Sequence, residues 1–278
     1  EALAKSRIKS VLSYGGLAID GLSTTAVEDT KQAFGKPYAD VLGDVLGVVE
    51  AELSRTGLTG YSHSIADEPG EDGIDAIINV ATAFKQTKRK VRTAAFTSIK
   101  ESGDPRHKLA GIVDDIYLNL HSEEAIRKII TAGSRCSLYN QTGRYSRGVY
   151  LLTARDLQCG GHMQFGFHSV HADPWYDLDG REGDQVAVFT HPDGNLRVSI
   201  DFMRYRQAIS DYRHLMLVNS LIIGGGGAAR DDAHQWLNKI RDAMKVGASS
   251  PWTDGELDRI RLEAVSHIDN MVKMKAMP

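Results

Sequence analysis

The chain has 278 residues, 42% of them hydrophobic and 25% charged, which is the composition of a folded globular protein and excludes a disordered or fibrous one. Its 33 Lys and Arg stand against 36 Asp and Glu with no basic stripe, so nucleic acid is not an expected partner. The longest apolar run, Leu215 to Ile223, is far too short to span a membrane and is interrupted by Asn219 and Ser220.

In chain order, Leu3 to Leu12 reads as the end of a helix, and Leu17 to Ile19 as a short apolar strand. The chain begins with Glu1 rather than Met, which points to processing or truncation upstream. Apolar residues then recur at helical spacing from Ala26 to Arg55, with a break near Pro37 and a stop at Gly57. A strand follows over Tyr61 to Ala66, running into Asp67-Glu68-Pro69-Gly70, then a helix over Gly73 to Lys88. Strands are predicted at Val91–Thr97, Ile112–Leu120, Cys136–Asn140 and His162–His168, with helices at Glu123–Ala132 and Arg147–Gln158 between the later ones. Such alternation specifies βαβ units and a parallel sheet.

Six strands of this kind fall short of the eight that close a (β/α)₈ barrel in about 250 residues. The expected fold is therefore α/β of the TIM-barrel type, incomplete at its N-terminal side. A polar, turn-rich loop is predicted from Asp177 to Asn195, and three helices close the chain, over Ser199–Ile223, Asp231–Val246 and Thr253–Lys273. Two domains are expected: a partial barrel over 1–198 and a helical region over 199–278. Gly224 to Gly227 reads as a linker, because no Lys-Ser/Thr follows it to make a phosphate cradle.

The sharpest chemical feature is Asp67-Glu68 at the carboxyl end of a strand, where barrel enzymes place catalytic residues. Neighbouring strand residues point to opposite faces, so both carboxylates reach one ligand only where the strand gives way to a loop. Pro69 is expected to hold Glu68 extended. A pair flanking a scissile bond normally comes from different strands, so adjacent Asp and Glu suit a reaction in which the sugar's own acetamido group is the nucleophile. Glu68 must then begin protonated, through burial or the neighbouring Asp67 charge. The strand ends add Asn119, His121, Tyr139, Phe165 and His168, with Trp175 beyond, as expected substrate contacts.

His162, His168, His171 and Asp173 match no zinc spacing, so no metal is expected, and no cofactor is implied. Serine or cysteine hydrolase chemistry lacks a Gly-x-Ser-x-Gly elbow or a Cys with a sequence-adjacent His. Cys136 and Cys159 are expected to be reduced, buried thiols.

Three segments carry a resemblance. His63-Ser-Ile-Ala-Asp-Glu-Pro69, Gly161-His-Met-Gln-Phe-Gly-Phe-His-Ser-Val-His-Ala-Asp-Pro-Trp-Tyr-Asp177, and Ser199-Ile200 followed by Arg206, Ile209, Asp211, Tyr212 and Leu215 are similar, in order and spacing, to motifs of glycoside hydrolase family 123 and its relatives carrying domain of unknown function 4091. The resemblance runs from about residue 40 to 215. It implies a barrel glycosidase acting on N-acetylhexosaminides by a substrate-assisted, retaining mechanism, with Glu68 as general acid/base and Asp67 orienting the 2-acetamido group. Phe165 and Val170 stand where that family has Trp, His168 where it has Asn, and Met203 where it has Glu. The other reading open at this point is a non-catalytic, glycan-binding or structural component of an assembly. Either reading leaves a carbohydrate as partner, a second chain or fragment as the piece that completes the barrel, and an extracellular or periplasmic location.

Overall fold

The computed structural model describes residues 10–13, 24–58, 60–141, 143–163, 168–169, 185–186, 188–190, 193–224, 227–244 and 250–275. The chain divides into two compact units, Glu1–Leu138 and Tyr139–Pro278. The boundary expected at 198/199 falls within the second unit, where Ser199 caps a long helix.

The first unit is a parallel α/β layer. Strands β1 (Ser10–Ser13), β2 (Gly60–Asp67), β3 (Arg92–Ile99), β4 (Asp115–His121) and β5 (Arg135–Tyr139, its last residue in the second unit) pair in that order, every pairing parallel. The helix expected over Leu3–Leu12 is overturned at its end: Ser10 to Leu12 lie in β1, because Val11 and Leu12 pair with Tyr61 and Ser62 and parallel pairing outweighs the local helical spacing. The strand expected over Leu17–Ile19 lies outside the described residues. Among the described residues the strand order is open at β1, and no closed barrel is formed.

The helical stretch expected from Ala26 to Arg55 forms helices α1 (Thr24–Phe34) and α2 (Tyr38–Thr56), and the break expected near Pro37 is found there, with Pro37 at the N-cap position of α2. α2 ends at Gly57 with φ 72°, where Leu58 N–H reaches back to Leu53 O at 3.0 Å, a left-handed closure that glycine adopts without steric cost. Leu42 and Leu46 of α2 pack with Val80, Ala83 and Phe84 of α3 (Ile74–Gln86) and with Val91. Helix α4 (Glu123–Thr131) follows β4, is capped by Ser122, whose hydroxyl accepts from Ala125 N–H, and buries Ala125, Ile126 and Ile129. One face of the sheet is therefore dry: Thr93, Ala95, Thr97, Ile99, Ile116, Leu118, Cys136 and Leu138 are all fully buried.

The second unit is mainly helical. It holds α5 (Gly143–Arg147), α6 (Tyr150–Asp156), α7 (Ile200–Ile223), α8 (Ala228–Ala243) and α9 (Asp254–Lys275). Buried residues of α7 at 208, 211, 215, 218 and 222 form one stripe at helical spacing. Gly148, beside α5, lies so close to α7 that a Cβ there would sit 2.6 Å from the Ala208 carbonyl oxygen. Arg144 and Asp211, each side chain 2% exposed, form a bidentate pair at 2.7 and 3.1 Å, extended by Asp258 and Arg261.

Two expectations fall in this unit. Of the strand predicted over His162–His168, the described ends are extended, His162–Met163 as β6 and His168–Ser169 as β7, while 164–167 lie outside the described residues; β7 pairs antiparallel with β8 (Gln185–Val186), so that His168 registers with Val186. The predicted loop Asp177–Asn195 carries β8 and β9 (Val188–Thr190), the latter pairing antiparallel with β10 (Leu196–Val198). Asp193-Gly194 turns this hairpin, with Gly194 at φ 80° and Asn195 N–H bonded to the Asp193 carboxylate at 2.9 Å. Cys136 and Cys159 are both buried and form no disulfide. No described helix is long and apolar enough to cross a membrane.

Candidate active site at the carboxyl end of the sheet

The strand β2 carries the site. Ser62 and Ser64 register with Arg92 and Ala94, but after Ser64 the register slips, so that Ala66 pairs with Ala95 and Asp67 with Phe96. The extra residue, Ile65, packs against the Leu42–Leu46–Phe84 cluster. A bulge of this kind changes which side chains share a face. Without it Asp67 would join His63, which is buried and stacked on Phe84 at 5.7 Å; with it, Asp67 joins the face of Ser62, Ser64 and Phe96. Phe96 in turn stacks on Tyr117, its partner on β4, with ring centroids 4.8 Å apart.

Glu68 follows at once. The extended conformation expected from Pro69 is not what the chain adopts, since Glu68 has φ 43°, in the left-handed region that a branched or long side chain rarely occupies. Its N–H is tied to the Phe96 carbonyl at 2.9 Å, and its Oε1 accepts a hydrogen bond from Asn119 Nδ2 at 2.9 Å. These two bonds hold the strained turn against the local preference of the residue before proline. The chain can thus direct two neighbouring carboxylates to one end of the sheet, Asp67 from the strand and Glu68 from the turn. Both are exposed.

Asn119 and His121 stand at the end of β4. A second register slip, between the Thr97–Leu118 and Ile99–His121 pairs, separates their roles. Asn119 is half-buried and reaches Glu68, whereas His121 pairs with the fully buried Ile99 and is itself buried. Burial holds the His121 imidazole below its ordinary pKa, and a hydrogen bond with the Asn119 main chain works in the opposite direction. His121 therefore supports the residue that supports Glu68.

Sequence reasoning missed the other end of the same face. Asp115, 4% exposed, accepts from Ser62 Oγ (2.7 Å), from Arg92 Nε and Nη2 (both 2.9 Å) and from Arg135 Nε and Nη2 (2.6 and 2.9 Å). Although burial pushes its pKa up, the bonds from Arg135, Arg92 and Ser62 outweigh this and bring it down to about 2. The cluster ties the amino ends of β2, β3, β4 and β5 together, the end of a parallel sheet that reads as stability rather than chemistry. Its members are 20, 23 and 53 residues from Asp115, so no local motif announces them.

The remaining expected contacts are Tyr139, Phe165, His168 and Trp175. Tyr139 is buried at the end of β5 and belongs to the second unit. His168 is described through its backbone in β7, and Phe165 and Trp175 lie outside the described residues, as do His171 and Asp173. Among the described residues, no group of three or more His, Cys, Asp and Glu is placed to hold a metal ion.

Comparison adds little to this geometry. No family model matches the chain, and no curated protein matches it. Among solved structures, the apo crystal structure of an endo-beta-N-acetylglucosaminidase from Cordyceps militaris is similar at 13% identity, over 73% of this chain and 68% of that one, with a TM-score of 0.32. At that TM-score the likeness assigns neither a fold nor a role to this chain.

Proposed function

We propose that this chain is a glycoside hydrolase of the family 123 type, acting on N-acetylhexosaminides by a substrate-assisted, retaining mechanism. The observation that carries the reading is the Asp67–Glu68 turn: a bulge places Asp67 on the Phe96–Tyr117 face, and a left-handed Glu68 is held by Asn119. Strained, non-glycine backbone at the carboxyl end of a parallel sheet is characteristic of residues retained for chemistry.

In this mechanism Glu68 Oε1 stays on Asn119, and Glu68 Oε2 gives its proton to the glycosidic oxygen as the bond to the anomeric carbon breaks. The carbonyl oxygen of the substrate's 2-acetamido group forms the new bond to that carbon. Asp67 accepts the acetamido N–H and balances the positive charge of the oxazolinium. Water then attacks the anomeric carbon, giving its proton back to Glu68, and the ring oxygen–carbon bond of the oxazoline opens with net retention. A partner chain or fragment that completes the barrel, and an extracellular or periplasmic location, belong to the same reading.

The experiment is turnover of aryl N-acetyl-glucosaminides and -galactosaminides by wild type, Glu68→Gln and Asp67→Asn. Wild-type turnover with Asp67→Asn reduced by about 3 kcal/mol of transition-state stabilisation supports the reading. Activity untouched by either change removes it, and no activity in the wild type favours the non-catalytic, glycan-binding alternative.

A further inference from the structure

The second unit contains a cavity of about 550 Å³ that includes neither Asp67 nor Glu68 and stands independently of the proposed hydrolysis. One wall is the face of α7 that carries Tyr205, Ile209 and Tyr212, spaced so that they lie above one another on the helix. α6 contributes Leu151 and Arg155 to the lining, and the turn Gln158–Gly161 completes it. The volume falls within the range of small-ligand sites.

Two features make this more than a packing gap. The first is its charge. Among the described residues Arg155 is the one charged residue in the lining, its Nη1 contacts the Met216 thioether, a weak acceptor, and no described carboxylate pairs with it. The second is its backbone. α6 closes with Gln158 N–H on Arg155 O and Cys159 N–H on Ala154 O, both at 2.7 Å, and the left-handed position of this closure, which glycine fills best, is held by Gln158 at φ 64°. Gln158, held in this left-handed conformation, is also one of the residues lining the cavity.

The geometry points to a binding site for a saccharide residue that carries a carboxylate. A guanidinium fork matches a carboxylate, two phenol rings offer flat walls with polar tips to a pyranose, and the Gln158 amide can both donate to and accept from hydroxyl groups. A neutral sugar fits less well, because it offers the Arg155 guanidinium no anionic partner, and among the described residues none is present. An aromatic acid fits less well, because it leaves the amide and phenol hydroxyls without partners.

The test is NMR titration of the full chain with methyl glucuronide, methyl glucoside and benzoate. None of these carries an acetamido group, so the outcome is separate from that of the Glu68 reading. The expected result is saturable binding of methyl glucuronide, at least tenfold tighter than either other probe, with resonances of α6 and α7 shifting. Arg155→Gln, an exposed change, should weaken that binding at least tenfold at an unchanged melting temperature, as expected for a lost charge-assisted pair. Gln158→Gly should weaken binding while raising Tm by about 2–4 °C, a pairing that a merely structural glutamine would not give. Equal affinity for glucoside and glucuronide, preference for benzoate, indifference to Arg155→Gln, or no saturation at all overturns the proposal.

Discussion

Asp115→Asn tests whether the ion cluster at the amino end of the sheet is what fastens the strands. The carboxylate is 4% exposed and receives five hydrogen bonds, four of them from two guanidinium groups. Its pKa lies at about 2 against an ordinary 3.8, a difference that corresponds to roughly 2.5 kcal/mol at ~1.4 kcal/mol per pH unit. Arg135 is 62% exposed and Arg92 35%, so solvent screening lowers the expected contribution to about 2 kcal/mol. The sign follows from the depressed pKa: the folded state resists the proton, so the contribution is complete above the unfolded value near 4 and is lost as pH falls from there through about 2. Denaturant unfolding of wild type and Asp115→Asn from pH 7 to pH 2 should show a gap of about 2 kcal/mol at neutral pH that closes across the acid limb. A gap that stays constant with pH would refute the electrostatic argument and reduce Asp115 to a matter of shape.

Asn119→Ala should lower kcat about tenfold at a nearly unchanged melting temperature, since it removes the 2.9 Å bond to Glu68 from a half-buried position; steady-state kinetics with an aryl glycoside and a thermal melt check both halves. Arg144→Ala should cost about 3–5 kcal/mol in guanidinium unfolding, because it leaves Asp211 buried without its bidentate partner, and a loss below about 1 kcal/mol would contradict this. The buried His121 is held below its ordinary pKa, so the unfolded chain takes up a proton that the folded one resists; wild-type stability should fall as pH drops below about 6.5, and His121→Phe should remove that slope.

What the sequence makes legible follows from the range of the forces involved. Strands β2 to β5 and the helices of the first unit can be read from local periodicity, because each has a helix-side face of apolar residues such as Ile116 and Leu118 that local spacing already reveals. Asp67-Glu68-Pro69 is legible as a strand-end motif for the same reason. Three features are not. β1 is four residues long inside a helical pattern, and its pairing with Tyr61 and Ser62 comes from about 50 residues away. The slip at Ile65 depends on the Leu42, Leu46 and Phe84 surface that receives it, so the face on which Asp67 emerges cannot be counted from the alternation of β2 alone. Glu68 contradicts the conformational preference that Pro69 imposes, and its geometry rests on Phe96 and Asn119 from other strands. A signal for the Asp115 cluster was present as an Asp at the start of β4 with an Arg near the start of β3 and another at the start of β5, once the strands are laid side by side in register.

The central claim is that Asp67 and Glu68 act on the substrate's own acetamido group, and the most direct measurement is a comparison of turnover on matched aryl glycosides that differ only at the 2-position. The predicted result is hydrolysis of the 2-acetamido substrate with retention at the anomeric carbon, loss of that activity in Glu68→Gln, and little turnover of the 2-hydroxy counterpart. Equal rates on the two substrates would contradict it.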